Sequence, residues 1–248
     1  MKNKWVYLIG VVITAELAWF FWPTAEPTAE LTPTPNRCPI HLPKGLPTGE
    51  ATENDTIVVR DIYCLGADPD TKFADWVAYK LDRQTIGNSQ TETERVWEPD
   101  PELDPAVTLE PEDYERAYKT LGIDRGHLAP LASFRGANWQ QTNYLSNIVP
   151  QDSNFNRGVW ADLEEDIRDM ARTETIYVIT GTAYLEEMPT LPGADEPHRI
   201  PSALWTIVDT KKGRQAWYFP QNTNATTPDE GAIDPQRLQD IINITIPQ

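Results

Sequence analysis

Asp124-Arg125-Gly126-His127, followed by Leu128 to Leu131 and later by Asn154-Phe155-Asn156, is the stretch from which the rest of this chain is read. Leu128 to Leu131 continues a strand out of the motif, and Tyr144 to Val149 reads as the strand that returns. Asn156 to Ala171 then carries Trp160, Leu163, Ile167 and Met170 at helical spacing with polar residues between them, which predicts a helix. Asn154 and Asn156 both suit its cap region. The pattern places His127 just ahead of the strand residues Leu128 to Leu131 and Asn156 at the start of the helix.

Those residue types supply what phosphodiester hydrolysis requires: a base for water, neutralisation of charge at phosphorus and help for the leaving oxygen. An imidazole with an unperturbed pKa of about 6.5 accepts a proton at neutral pH, so His127 is the candidate base. Asn156 offers a neutral oxygen, and Mg²⁺ prefers oxygen ligands while keeping several waters, so one protein ligand can suffice. Taken alone, Asn156 would read as a helix cap. Glu164 follows two turns later, within about a quarter-turn of the same face at 3.6 residues per turn. Arg168 lies at i+4 from it, where an ordinary surface ion pair is the simpler reading. Arg95 and Arg125 are candidate phosphate clamps, because a guanidinium can hold two phosphate oxygens at once. Gly126 permits a tight bend before His127. His41 and His198 sit beside proline-rich loops without partner sets and read as structural.

The flanking runs predict an α+β fold with a mostly antiparallel sheet. Thr56 to Leu65 and Phe73 to Arg83 read as a hairpin around Gly66 to Thr71. Glu92 to Glu115 is acidic and broken by prolines, hence an irregular solvated segment, with a short helix near Pro111 to Leu121. Thr175 to Thr180, Leu204 to Asp209 and Gln215 to Phe219 read as further strands, and Pro235 to Ile242 as a last helix.

Ahead of this body, Lys2 and Lys4 precede an apolar run from Trp5 to Trp22, interrupted only by Thr14 and Glu16. Eighteen residues can just span a bilayer, and aromatic residues crowd both ends, so residues 1–22 are expected to be an uncleaved anchor rather than a cleaved signal. Basic residues before the run and acidic ones after it put the body outside the cytoplasm, in the cell envelope, or secreted if the run is cut. Residues 23–50 open with Pro-Thr-Ala-Glu-Pro-Thr-Ala-Glu, a proline-rich spacer, and residues 51–248 form the expected domain. Cys38 and Cys64 lack zinc-site spacing. Export would allow them to pair, stapling the start of the domain to its first hairpin; otherwise they are two thiols. The net charge of -17, from 21 basic and 38 acidic residues, disfavours a tight polyanion binder and suits an enzyme that releases its products.

The chain resembles the DNA/RNA non-specific endonuclease family of the Serratia nuclease type, with a ββα-metal (His-Me finger) core. The resemblance rests on Asp124 to His127 with Leu-Ala-Pro-Leu-Ala-Ser at 128–133, Asn-Tyr-Leu-Ser-Asn-Ile-Val-Pro-Gln at 143–151 and Asn-Arg-Gly-Val-Trp-Ala-Asp-Leu-Glu at 156–164. Thr71 to Tyr79 and Ile200 to Ala203 extend it, so that it covers nearly all of residues 51–222 and fades after Thr223. It implies His127 as general base and Asn156 as the sole protein ligand of Mg²⁺, with Mn²⁺ a possible substitute. It further implies that Glu164 places a water on the cation to protonate the leaving group. Arg95 would stabilise the pentacoordinate phosphate, Arg125 and Arg168 would face the substrate, and Asn147 would support the site. DNA and RNA, single- or double-stranded, are the implied substrates, with 5′-phosphate products; many members are dimers. Two other classes stay open on the residues alone: an envelope-tethered phosphodiesterase acting on small nucleotides, and a non-catalytic polyanion-binding protein.

Overall fold

Apolar and β-branched runs organise the molecule into one large sheet and one small hairpin. The computed structural model describes residues 36–87 and 95–248. The expected anchor at residues 1–22 lies outside the described residues, as does the start of the spacer. The packed unit begins ahead of residue 51, since Cys38, His41 and Leu42 are buried. No helix among the described residues is long and apolar enough to cross a membrane.

In chain order the elements are β1 (Thr56–Val59), β2 (Cys64–Ala67), β3 (Ala74–Leu81), α1 (Arg83–Ile86), α2 (Ala117–Leu121), β4 (Ile123–His127), β5 (Ile148–Asp152), α3 (Ser153–Arg157), α4 (Val159–Thr173), β6 (Ile176–Ala183), β7 (Ala203–Thr210), β8 (Gly213–Pro220), β9 (Ala232–Ile233) and α5 (Pro235–Ile242). Seven strands form a sheet in the order β1-β2-β3-β6-β7-β8-β9, every neighbouring pair antiparallel, and β4 and β5 pair separately. The α+β expectation, mixed with a mostly antiparallel sheet, holds.

Successive side chains of a strand point to opposite faces, and β3 feeds two different cores. Val77 and Tyr79 join the cluster that includes Trp160, Leu163 and Ile167 of α4. Trp76 and Ala78 join the cluster that includes Leu238 and Ile242 of α5. A sheet covered on both faces needs apolar residues at nearly every position, which is why β3 reads as a continuous run rather than an alternating one.

Four expectations need correction. Thr56 to Leu65 is two strands, because the backbone N–H of Arg60 donates to Tyr63 O at 2.8 Å and closes a turn between them. No strand runs from Leu128 to Leu131: β4 ends at His127, Pro130 has no N–H to donate, and Leu131–Ser133 winds as a 3₁₀ turn. The returning strand starts only at Ile148. The single helix from Asn156 splits into α3 and α4 at Gly158, whose Cβ would lie 2.6 Å from Asn154 O.

Cys38 and Cys64 are joined by a disulfide that ties the first described residues to β2. With its two cysteines 26 positions apart, the loop-entropy argument assigns the bridge about 3.5 kcal/mol. Replacing both cysteines by serine is expected to lower the unfolding free energy by about that amount, read from urea denaturation curves. A difference below about 1 kcal/mol would contradict the entropic assignment.

Candidate active site

The β4–β5 hairpin presents its motif side chains in register, with Arg125 opposite Pro150 and His127 opposite Ile148. Arg125 and His127, two residues apart, share a strand face. Gly126 faces the other way, and its role differs from the bend expected of it. A Cβ there would sit 2.1 Å from Gln151 Cδ, so glycine is required by the buried Gln151 side chain, not by a turn.

His127 is half-buried, and its Nε2 lies 3.1 Å from Asn143 Oδ1. An amide oxygen only accepts, so Nε2–H donates and Nδ1 is left with its lone pair. The Trp97 ring, 5.5 Å away and tilted by 43°, forms one wall of the imidazole's surroundings. Burial holds the His127 pKa down to about 4, against the pull of the Asn143 hydrogen bond and with the Arg95 charge adding to the depression. The ring is therefore neutral at physiological pH.

Asp152 accepts from the backbone N–H groups of Asn154 and Phe155 and caps α3, so neither asparagine is needed there. Asn156 instead donates Nδ2–H to Asp124 Oδ2 at 3.0 Å. A carboxylate accepts only, so this bond fixes the amide with its donor end on Asp124 and its Oδ1 left over. Arg157 grips the same carboxylate with a two-pronged fork, Nε to Oδ2 at 2.8 Å and Nη2 to Oδ1 at 2.6 Å. Asp124 is thus neutralised where a phosphate would otherwise meet a bare anion.

Glu164 of α4 is pushed up to about 7 by burial, against the pull of Arg168, whose Nη1 is 3.9 Å away. Arg125 lies over Tyr114 and Trp97 at 5.1 and 5.7 Å and donates to Pro111 O at 2.7 Å, which fixes its guanidinium beside the histidine. Arg95 is exposed at the rim. Its loop is anchored a few residues on, where buried Asp100 takes both the Arg60 guanidinium and the Ser146 hydroxyl.

Arg95, Arg125, His127, Asn156 and Glu164 all line one cleft of about 510 Å³, together with Trp97, Tyr118, Asp124 and Arg157. Two predicted site residues stand behind it. Arg168 is buried and holds Glu165 at 2.6 Å as well as facing Glu164, so it backs the carboxylate. Asn147 is fully buried: its Oδ1 accepts from Ala129 N, and its Nδ2 donates to Ala129 O and Thr142 O. It pins the segment that follows His127. His41 and His198 are structural, accepting or donating to backbone groups of Arg60, Lys80, Leu191 and Glu196. Glu110, Asp113 and Glu196 bring their carboxylates close together, but none of the three lines the cleft.

Asn143, Asp124, Arg157 and Trp97 are the contributors that the sequence reading assigned no role. Asn143 opens the 143–151 stretch and Asp124 opens the motif, but their roles come from partners distant in sequence: His127 for Asn143, and Asn156 and Arg157 of α3 for Asp124. Nothing in sequence alone marks Trp97 as the wall of an imidazole.

Comparison with known proteins comes to the same stretch of chain. The family model for DNA/RNA non-specific endonucleases matches residues 47–243. The chain is 40% identical over 208 residues to a nuclease of Serratia marcescens, an overlap of 80% of this chain and 75% of that protein. It is 34% identical over 136 residues to the mitochondrial endonuclease G of Homo sapiens, covering 51% of this chain and 42% of the human protein. A crystal structure of the EndoG/EndoGI complex superposes with a TM-score of 0.69 at 20% identity, over 84% of this chain and 89% of that one, and shares the fold.

Proposed function

The chain belongs to the DNA/RNA non-specific endonuclease family, and on that premise we propose that it is a divalent-cation-dependent enzyme hydrolysing DNA and RNA to 5′-phosphate ends through a ββα-metal core. The observation that carries this reading is the single cleft walled by His127, Asn156, Glu164, Arg95 and Arg125. The residues suit a hard cation. Asp124 commits the Asn156 donor end and leaves the oxygen, and Glu164 is a carboxyl waiting for a positive charge. Mg²⁺ or Mn²⁺ held by Asn156 would neutralise charge building on the phosphate and the leaving oxygen.

The chain's own groups do the rest. His127 Nδ1 takes a proton from water as the water oxygen attacks phosphorus. The P–O3′ bond breaks, the phosphate stays on the 5′ side, and the departing 3′ oxygen is protonated from solvent ordered near Glu164. Arg95 and Arg125 hold the phosphate oxygens with fixed donors. Asn143 keeps the imidazole in the tautomer that this step needs. A net charge of -17 leaves the cleft arginines to provide the attraction for a polyanion, so turnover should fall with added salt.

The same reading places the enzyme outside the cytoplasm, tethered by Trp5 to Trp22 or secreted if that run is cleaved; the Cys38–Cys64 bridge supports an oxidising compartment. The purified protein is expected to degrade plasmid DNA and single-stranded RNA with Mg²⁺ or Mn²⁺ and to stop on chelation. Turnover of bis-nitrophenyl phosphate without any cleavage of plasmid would favour a small-nucleotide phosphodiesterase instead.

The Glu164 pKa of about 7 gives cation binding a pH dependence. A cation favours the carboxylate, so binding expels a proton below that pKa and not above it. Between pH 6 and pH 8 the ionised fraction rises about tenfold, and Mn²⁺ affinity measured by calorimetry should rise by the same factor. His127, with its pKa about 4, stays neutral over this window and does not confuse the result. Glu164→Gln should flatten the dependence; equal wild-type affinity at both pH values would contradict it.

A further inference from the structure

Tyr118 is 58% exposed, yet its ring lines the same cleft as His127 and Asn156. The guanidinium of Arg157 lies 4.9 Å from the ring centroid, over one face of the ring. That guanidinium is not free to wander, because its fork is fixed on Asp124, which also holds the Asn156 amide. The result is an ordered stack that begins at the carboxylate and ends in an aromatic surface open to solvent. An exposed tyrosine on its own says little. One held in place by a charge-neutral anchor, at the edge of a cleft that takes phosphate, is a ready platform for a flat ring.

We propose that Tyr118 and Arg157 form a base-stacking shelf, on which a nucleobase next to the scissile phosphate extends the stack of guanidinium and phenol. This rests on the endonuclease reading of the cleft and adds a substrate preference to it. Every base has a π-face, so the shelf is indifferent to sequence. A base inside a duplex is already stacked, so the shelf serves single strands, whose bases can be splayed outward. Single-stranded DNA and RNA should therefore bind more tightly than duplex of the same length.

The test is steady-state cleavage by the full chain of three substrates: a single-stranded oligonucleotide, the same strand with abasic sites beside the cleavage position, and bis-nitrophenyl phosphate. Tyr118→Ala should raise KM on the intact strand about tenfold, within the range seen when one base-stacking aromatic is removed, with kcat within about twofold. Tyr118→Phe should keep the wild-type KM. On the abasic strand and on bis-nitrophenyl phosphate the alanine variant should match the wild type. An unchanged KM on the intact strand would overturn the shelf, as would an equal loss on all three substrates, which marks a structural role. Failure of the wild type to cleave any of them sinks the endonuclease reading and the shelf with it.

Discussion

Replacing His127 by alanine should lower kcat on plasmid DNA by about 10³-fold, within the span that a positioned general base contributes. The expectation follows from three features that act on one ring. Asn143 fixes the tautomer, burial keeps the imidazole neutral, and the strand face it shares with Arg125 points it into the phosphate cleft. The variant should remain folded, because the ring is only half-buried and its loss leaves a single amide oxygen, Asn143 Oδ1, without a partner. Thermal unfolding followed by circular dichroism checks this alongside the kinetics. Activity within about tenfold of wild type would remove His127 from the role of base.

Asn156→Ala should abolish the saturable dependence on divalent cation and lower activity by about two orders of magnitude or more, since it deletes the one protein oxygen assigned to the ion. The fork between Arg157 and Asp124 survives the change, so the scaffold around the missing amide should hold. Asn156→Asp gives a sharper comparison. A carboxylate is the stronger ligand, but it cannot donate to Asp124 and would meet it as a like charge. The aspartate variant should therefore also lose activity, against the order expected from ligand strength alone. A titration with Mn²⁺ that matches wild type for either variant would count against the assignment.

Much of this was legible in the sequence because the informative signals are local. The strand pattern of β6, β7 and β8 and the helix Pro235–Ile242 follow from runs of residues whose burial is decided by immediate neighbours. His127, Asn156 and the arginines were selected by their chemistry. What stayed hidden depends on pairing across the fold. In sequence Asn156 fits a cap as well as a ligand; in the fold Asp152 occupies the cap. Gly126 reads in sequence as a tight bend, because the crowding by Gln151 comes from the opposite strand. Arg168 read as a surface ion pair or a substrate contact, whereas α4 turns it inward behind Glu164. Leu128 to Leu131 has strand composition, but Pro130 denies it the ladder, a case of one missing donor outweighing propensity.

The most direct measurement is the anomalous scattering of Mn²⁺ in crystals of the His127→Ala protein bound to a short single-stranded oligonucleotide. The account expects one strong peak within about 2.0–2.3 Å of Asn156 Oδ1, with a phosphate oxygen of the strand completing the coordination and the vacated imidazole site facing that same phosphorus. A cation bound elsewhere, for example among Glu110, Asp113 and Glu196, with Asn156 empty and the strand outside the cleft, would contradict it.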